Sequence, residues 1–171
     1  LFRQYKNEGF SNREISSLIA KDLDLRKVLH EASKDWDGGY AMAGVLGHQI
    51  AETYSGADAI DQDGGAEYKS TIAKSINGTY NGISVQDTWE DQEDYLINNK
   101  IGKYDNHFIA RYEDGKVVEV WRLSGDDVLS ILLPKLKKDW NRKINGNHKD
   151  PRLSASLSKK EIYAVGTCVL G

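Results

Sequence analysis

The sequence predicts an α/β fold, a mixed central β-sheet flanked by helices. Three observations lead there: helical periodicity behind a capping signature near the N-terminus, a strand-rich middle with a clear hairpin, and a helix then a strand closing the chain. The 171 residues suit a single domain with one sizeable core.

Taken in order, "FSNREISSLIAKDLDL" offers Ser11 as an N-cap with Glu14 three residues on, a capping box. Ile15, Leu18, Ile19 and Leu23 then recur at helical spacing. "LRKVLHEASKDW" predicts a second helix; the Asp-Leu-Asp join between the two is a poor turn for a helix-turn-helix. "YAMAGVLGHQIAETY" predicts a third, bringing Gly44, His48 and Glu52 onto one face by i, i+4 spacing. "TIAKSINGTYNGISVQ" reads as extended, and the acidic "DTWEDQEDYLINNK" as helix or loop. "HFIARYEDGKVVEVWRL" is a hairpin turning at Asp114-Gly115. Ser124 caps the next helix, with acids in its first turn and Pro134 expected to kink or restart it. "EIYAVGTCV" predicts the final strand.

With 39% hydrophobic and 29% charged residues, the chain reads as globular and soluble. No apolar run has the length of a membrane span, and the start carries no signal-peptide pattern. The chain opens on Leu1 rather than methionine, as a fragment, a processed form or a trimmed chain would. Cys168 is the single cysteine, which rules out an internal disulfide, fits a cytoplasmic location and excludes a zinc cluster; it reads as a small core residue. No glycine-rich phosphate loop or hydrolase serine elbow occurs.

Charge is unevenly placed. From Lys135 to Lys160, nine cations face two acids, a net +7, leaving −10 on the rest of a chain whose total is −3. Such a segment is an electrostatic footprint for phosphates or a solvated helix face.

The chemistry concentrates in "ADAIDQDGGAEYKST", residues 57–71. If Asp63-Gly64 is a two-residue turn, Asp61 faces Ala66, Ile60 faces Glu67 and Asp58 faces Lys69. Alternation then sends Asp58, Glu67 and Lys69 out of one side of the sheet, with Asp61 on the other. Two carboxylates and a backbone carbonyl make an oxygen site suited to Mg²⁺. A lysine beside it would orient a water or offset charge on a phosphate. The alternative is a solvated hairpin whose Glu67 and Lys69 are surface charges.

Asp58 followed by Glu67-Tyr68-Lys69 resembles the PD-(D/E)xK motif of type II restriction endonucleases and related nucleases, with Ala57 where proline is usual. The resemblance covers about half the chain, from 41 to 133. It implies that Asp58, Glu67 and the Tyr68 carbonyl bind Mg²⁺, that Lys69 assists the attacking water, and that Glu52 joins from a preceding helix. Asp105 with Asp114-Gly115-Lys116 repeats the spacing, but Asp114 falls at a turn, which favours the first set. The histidines of "DNHF" and "NGNHKDPR" faintly resemble those of HNH nucleases but lack enough ligands. His48 reads as packed rather than bound to phosphate, and Trp140 as a core anchor.

The expectation is a single nuclease domain over 1–171: a helical part at 1–40, a catalytic core at 41–133, and a basic DNA-contacting part with the last strand at 134–171. Lys135, Lys137, Lys138, Arg142, Lys143, Asn145, Lys149 and Arg152 are its candidate contacts to double-stranded DNA. Cutting both strands calls for two sites, hence a homodimer, and no membrane partner is expected. A non-catalytic DNA-binding protein, or a repair, homing or structure-selective nuclease, remains open as an alternative.

Overall fold

A computed structural model of the chain describes residues 38–51, 56–114, 116–146 and 152–171, all within the unit Gly38–Gly171. The two helices predicted before residue 37 lie outside the described residues. The elements run α1 (Gly38–Leu46), β1 (Gln49–Ile50), β2 (Ala59–Asp61), β3 (Gly64–Thr71), β4 (Gly78–Ile83), α2 (Trp89–Tyr95) and a π turn (Leu96–Lys100). They continue as β5 (Asn106–Glu113), β6 (Lys116–Ser124), α3 (Gly125–Ile144), β7 (Leu153–Leu157), α4 (Lys159–Val165) and β8 (Thr167–Leu170).

The fold is α/β with a mixed six-stranded sheet in the order β1-β2-β3-β5-β6-β8, flanked by helices. β3 and β5 pair in parallel, the other neighbours antiparallel. β4 and β7 form a separate antiparallel pair. Strand alternation sorts the sheet's two faces. Ala66, Tyr68, Phe108, Ala110 and Val120 pack with Met42 and Ala43 of α1. Ile109 and Leu123 pack on the other side with Val128, Leu132 and Leu136 of α3 and with Tyr80 and Leu157 of the small sheet. Among the described residues no helix is long and apolar enough to cross a membrane.

Several local expectations are corrected. The third helix stops at Leu46, because Gly47 takes φ 71°, the left-handed conformation that ends helices at little cost to glycine. β1 follows at once, so Gly44 and His48 do not share a helical face, and Glu52 lies outside the described residues. Pro134 neither ends nor restarts α3. The proline and Ser130, whose carbonyl loses its helical donor, are both exposed, so water can satisfy that carbonyl. The predicted last strand is mostly α4: Ser158 and Glu161 form a reciprocal capping box. β8 begins only at Thr167, and its four residues, Cys168 included, are exposed rather than core.

The hairpin of β5 and β6 closes at Glu113↔Lys116, with Asp114 at φ 48°, as its turn chemistry predicts. Ser124 caps α3 by accepting from the Asp127 N–H at 3.0 Å.

Candidate active site

The β2–β3 hairpin differs from expectation by one step. Asp61 pairs with Gly64, so the two-residue turn is Gln62-Asp63. The reason is local: Asp61 Oδ1 accepts the N–H groups of Asp63 at 2.8 Å and Gly64 at 3.0 Å. Asp61 Oδ2 and Asp63 Oδ2 also each accept from Asn106 Nδ2 at 2.9 Å, pinning the turn to the start of β5. Moving the turn by one residue shifts every cross-strand pair by two, so no side chain changes face.

Asp58 lies just beyond the last β2–β3 pair, Ala59↔Ala66. Its N–H bonds to Ala66 O at 3.0 Å, and its Oδ2 accepts the Tyr68 N–H at 2.8 Å. Because β2 is three residues long, the Asp58 carboxylate takes the place of the next backbone acceptor for Tyr68. Glu67 and Lys69 follow alternation on β3. The Lys69 ammonium contacts Glu67 Oε1 and donates to Tyr68 O at 3.1 Å. It also sits 5.0 Å from the centroid of the Tyr80 ring, a cation–π distance. At 21% and 20% side-chain exposure, Lys69 and Glu67 are not the solvated surface charges of an ordinary hairpin.

Asp58, Glu67 and Lys69 line one cavity of about 430 Å³. Its wall includes Tyr80 and His107, both buried. His107 is the β5 partner of Glu67 across the parallel pair. Its Nε2 lies 3.0 Å from Ile101 O, which can only accept, so Nε2 carries the proton and Nδ1 accepts the Tyr80 hydroxyl at 2.9 Å. Burial lowers the His107 pKa to about 4; the bond to the Ile101 carbonyl opposes this, and the Lys69 charge adds to it. His107 is therefore a neutral structural group. Burial, then the Glu67 and Asp58 charges, raise Tyr80 and Tyr104, so both hydroxyls stay protonated donors.

The donor chemistry fits Mg²⁺. Glu67 Oε1 and Tyr68 O already converge on one positive group, the Lys69 ammonium, and Asp58 adds a hard oxygen donor in the same cavity. Glu52 lies outside the described residues. Among those described, no group of three or more His, Cys, Asp and Glu side chains is placed to hold a metal ion.

The basic segment divides. Lys135 bonds Glu161 at 2.7 Å and Ser156 O at 2.8 Å, tying α3 to the start of α4. Arg142 and Lys143 converge on Asp139, which is 9% exposed and also accepts the Ser154 N–H at 3.0 Å. Lys143 donates to the Arg152 carbonyl as well. Asn145 caps α3 by donating to Asn141 O at 2.8 Å. Lys137 lies over the Trp89 ring at 5.2 Å, Lys138 is exposed, and Lys149 lies outside the described residues. Trp140 donates to Gln86 O at 3.1 Å and packs on Trp89, an anchor as expected. His48 is packed too, 2.8 Å from the Tyr68 hydroxyl and edge-on to Phe108.

Sequence reasoning missed the cavity's other lining groups. Besides Lys69, its lining cations are Lys100 and Lys103, accompanied by Asn81 and Asn99. Nothing in "LINNKIGKYD" marks Asn99, Lys100 or Lys103, and nothing in β4 marks Asn81, since their relevance comes from the cavity that distant segments form together. No protein-family model and no curated protein sequence matches this chain.

Proposed function

We propose that the chain is a Mg²⁺-dependent endonuclease that hydrolyses phosphodiester bonds of double-stranded DNA, of the PD-(D/E)xK kind and most simply a type II restriction endonuclease. One observation carries the reading: Asp58, Glu67 and Lys69 project into a single cavity, with the Lys69 ammonium bridging Glu67 and the Tyr68 carbonyl. Asp58, Glu67 and Tyr68 O would hold Mg²⁺, and Glu52 would support the site. Bound there, the ion supplies charge neutralisation at the scissile phosphate and acidifies water.

The chain's own groups do the rest. Lys69 leaves Glu67 and Tyr68 O and holds the attacking water by donating to its oxygen, while Tyr80 beneath it limits where the ammonium can go. The water oxygen bonds to phosphorus and the bond to O3′ breaks. The water gives up one proton to solvent and O3′ takes one, leaving a 5′-phosphate and a 3′-hydroxyl. The exposed Lys137 and Lys138 offer further contacts to the DNA backbone. A homodimer in the cytoplasm, cutting both strands of a palindromic site, completes the proposal.

Incubation of plasmid DNA with Mg²⁺, followed by mapping of the ends, tests it. Nicked or linear product that disappears with chelator and in Glu67→Ala supports it. Full cleavage by Glu67→Ala removes the site assignment, and DNA binding without any cleavage leaves a non-catalytic DNA-binding protein.

A further inference from the structure

We propose that Asn99, Lys100 and Lys103 form a phosphate clamp, holding the DNA strand beside the scissile bond. The proposal rests on the nuclease reading of the cavity and adds the residues that seat the substrate in it.

Charge is the first argument. The charged groups lining the cavity are Asp58 and Glu67 against Lys69, Lys100 and Lys103, a net positive site on a chain of net charge −3. Lys69 is engaged by Glu67. Lys100 and Lys103 are exposed and make no ion pair among the described residues; Lys103 only overlies the Tyr104 ring at 5.7 Å. Two cations without acid partners among the described residues, in the cavity proposed to hold the divalent ion, select an anionic ligand.

Backbone geometry is the second. The helix ends in a π turn, where Ile101 N–H and Gly102 N–H both donate to Leu96 O, at 2.9 and 3.0 Å. Ile101 O in turn accepts from His107. These bonds fix the path of the backbone through the turn. Leu96 and Ile101 are buried, so the segment presenting Asn99, Lys100 and Lys103 is anchored on both sides of Lys100. An anchored frame reduces the ordering cost of binding.

The test measures anisotropy of a labelled 20-base-pair duplex with the full chain, Ca²⁺ replacing Mg²⁺ to suppress cleavage, between 50 and 200 mM salt. K100A/K103A should bind roughly tenfold more weakly, with the slope of log K against log salt reduced by about 1.8, two released phosphate contacts. K74A/K116A removes the same charge from exposed lysines that do not line the cavity and should match wild type. K100R/K103R should restore binding. Thermal melts confirm that each variant folds. Unchanged affinity and slope in K100A/K103A, or an equal loss in K74A/K116A, overturns the clamp. Plasmid cleavage by wild type separates the two proposals. Cleavage with no effect of K100A/K103A sinks the clamp alone. Absent cleavage with the expected slope change sinks the nuclease reading and keeps a phosphate-binding groove.

Discussion

The hydroxyl of Tyr80 donates to Nδ1 of His107 over 2.9 Å, in the wall of the cavity that holds Lys69. This bond joins the small sheet to the large one and fixes the ring over which the Lys69 ammonium lies. Tyr80→Phe keeps the ring but orphans a buried acceptor. It should cost about 1–3 kcal/mol in urea denaturation, with the cavity's shape retained.

The same pair predicts a pH dependence. His107 has an ordinary pKa of 6.5 and about 4 in the fold. Between those values the unfolded chain takes up a proton that the folded chain refuses. Stability should therefore be free of this penalty above pH 6.5 and fall as pH drops toward 4. His107→Gln should flatten that decline in a series of urea melts. Glu161 acts in a lower window, because the Lys135 and Ser158 bonds outweigh its burial and bring it to about 2 from 4.5. Its contribution is lost as pH falls from 4.5 toward 2.

Asp58 has a structural and a chemical task that substitution can separate. Asn at this position still offers an oxygen to the Tyr68 N–H, so Asp58→Asn should keep that bond and stay folded while losing Mg²⁺-dependent cleavage. Asp58→Ala should lose cleavage and also about 1 kcal/mol of stability. A cleaving Asp58→Asn variant would remove Asp58 from the metal site.

Glu67→Ala and Lys69→Ala should each reduce cleavage by roughly a hundredfold or more, while duplex binding in Ca²⁺ stays measurable. Lys69→Arg should not rescue, because the planar guanidinium cannot take the ammonium's place between Glu67, Tyr68 O and the Tyr80 ring. Gel quantification of nicked plasmid over time reads both effects.

Asp139 predicts stability rather than binding. It is nearly buried and collects Arg142, Lys143 and the Ser154 N–H. Asp139→Ala removes the acceptor that these three donors share and orphans the Ser154 N–H, which should cost roughly 2–3 kcal/mol in thermal or urea unfolding.

What the sequence determined by itself follows from local rules. The period of two in a strand puts Glu67 and Lys69 on one face whatever the exact turn, and a one-residue turn displacement preserves that face. The Asp114 turn and the Ser124 cap were legible for the same reason: each is specified by neighbours in the chain. Tertiary structure decided the rest. Gly47 ends its helix, where the apolar spacing around it would have carried on, because the chain turns there into the sheet. Lys135, Arg142 and Lys143 look alike in a charge count, yet Lys135 meets Glu161 only because α3 packs on α4, and Asp139, the partner of Arg142 and Lys143 within α3, is buried only where that helix meets β7. Tyr80, His107, Lys100 and Lys103 reach the cavity from segments up to forty residues beyond Glu67. Sequence periodicity describes which way a residue faces on its own element; only packing decides what stands across from it.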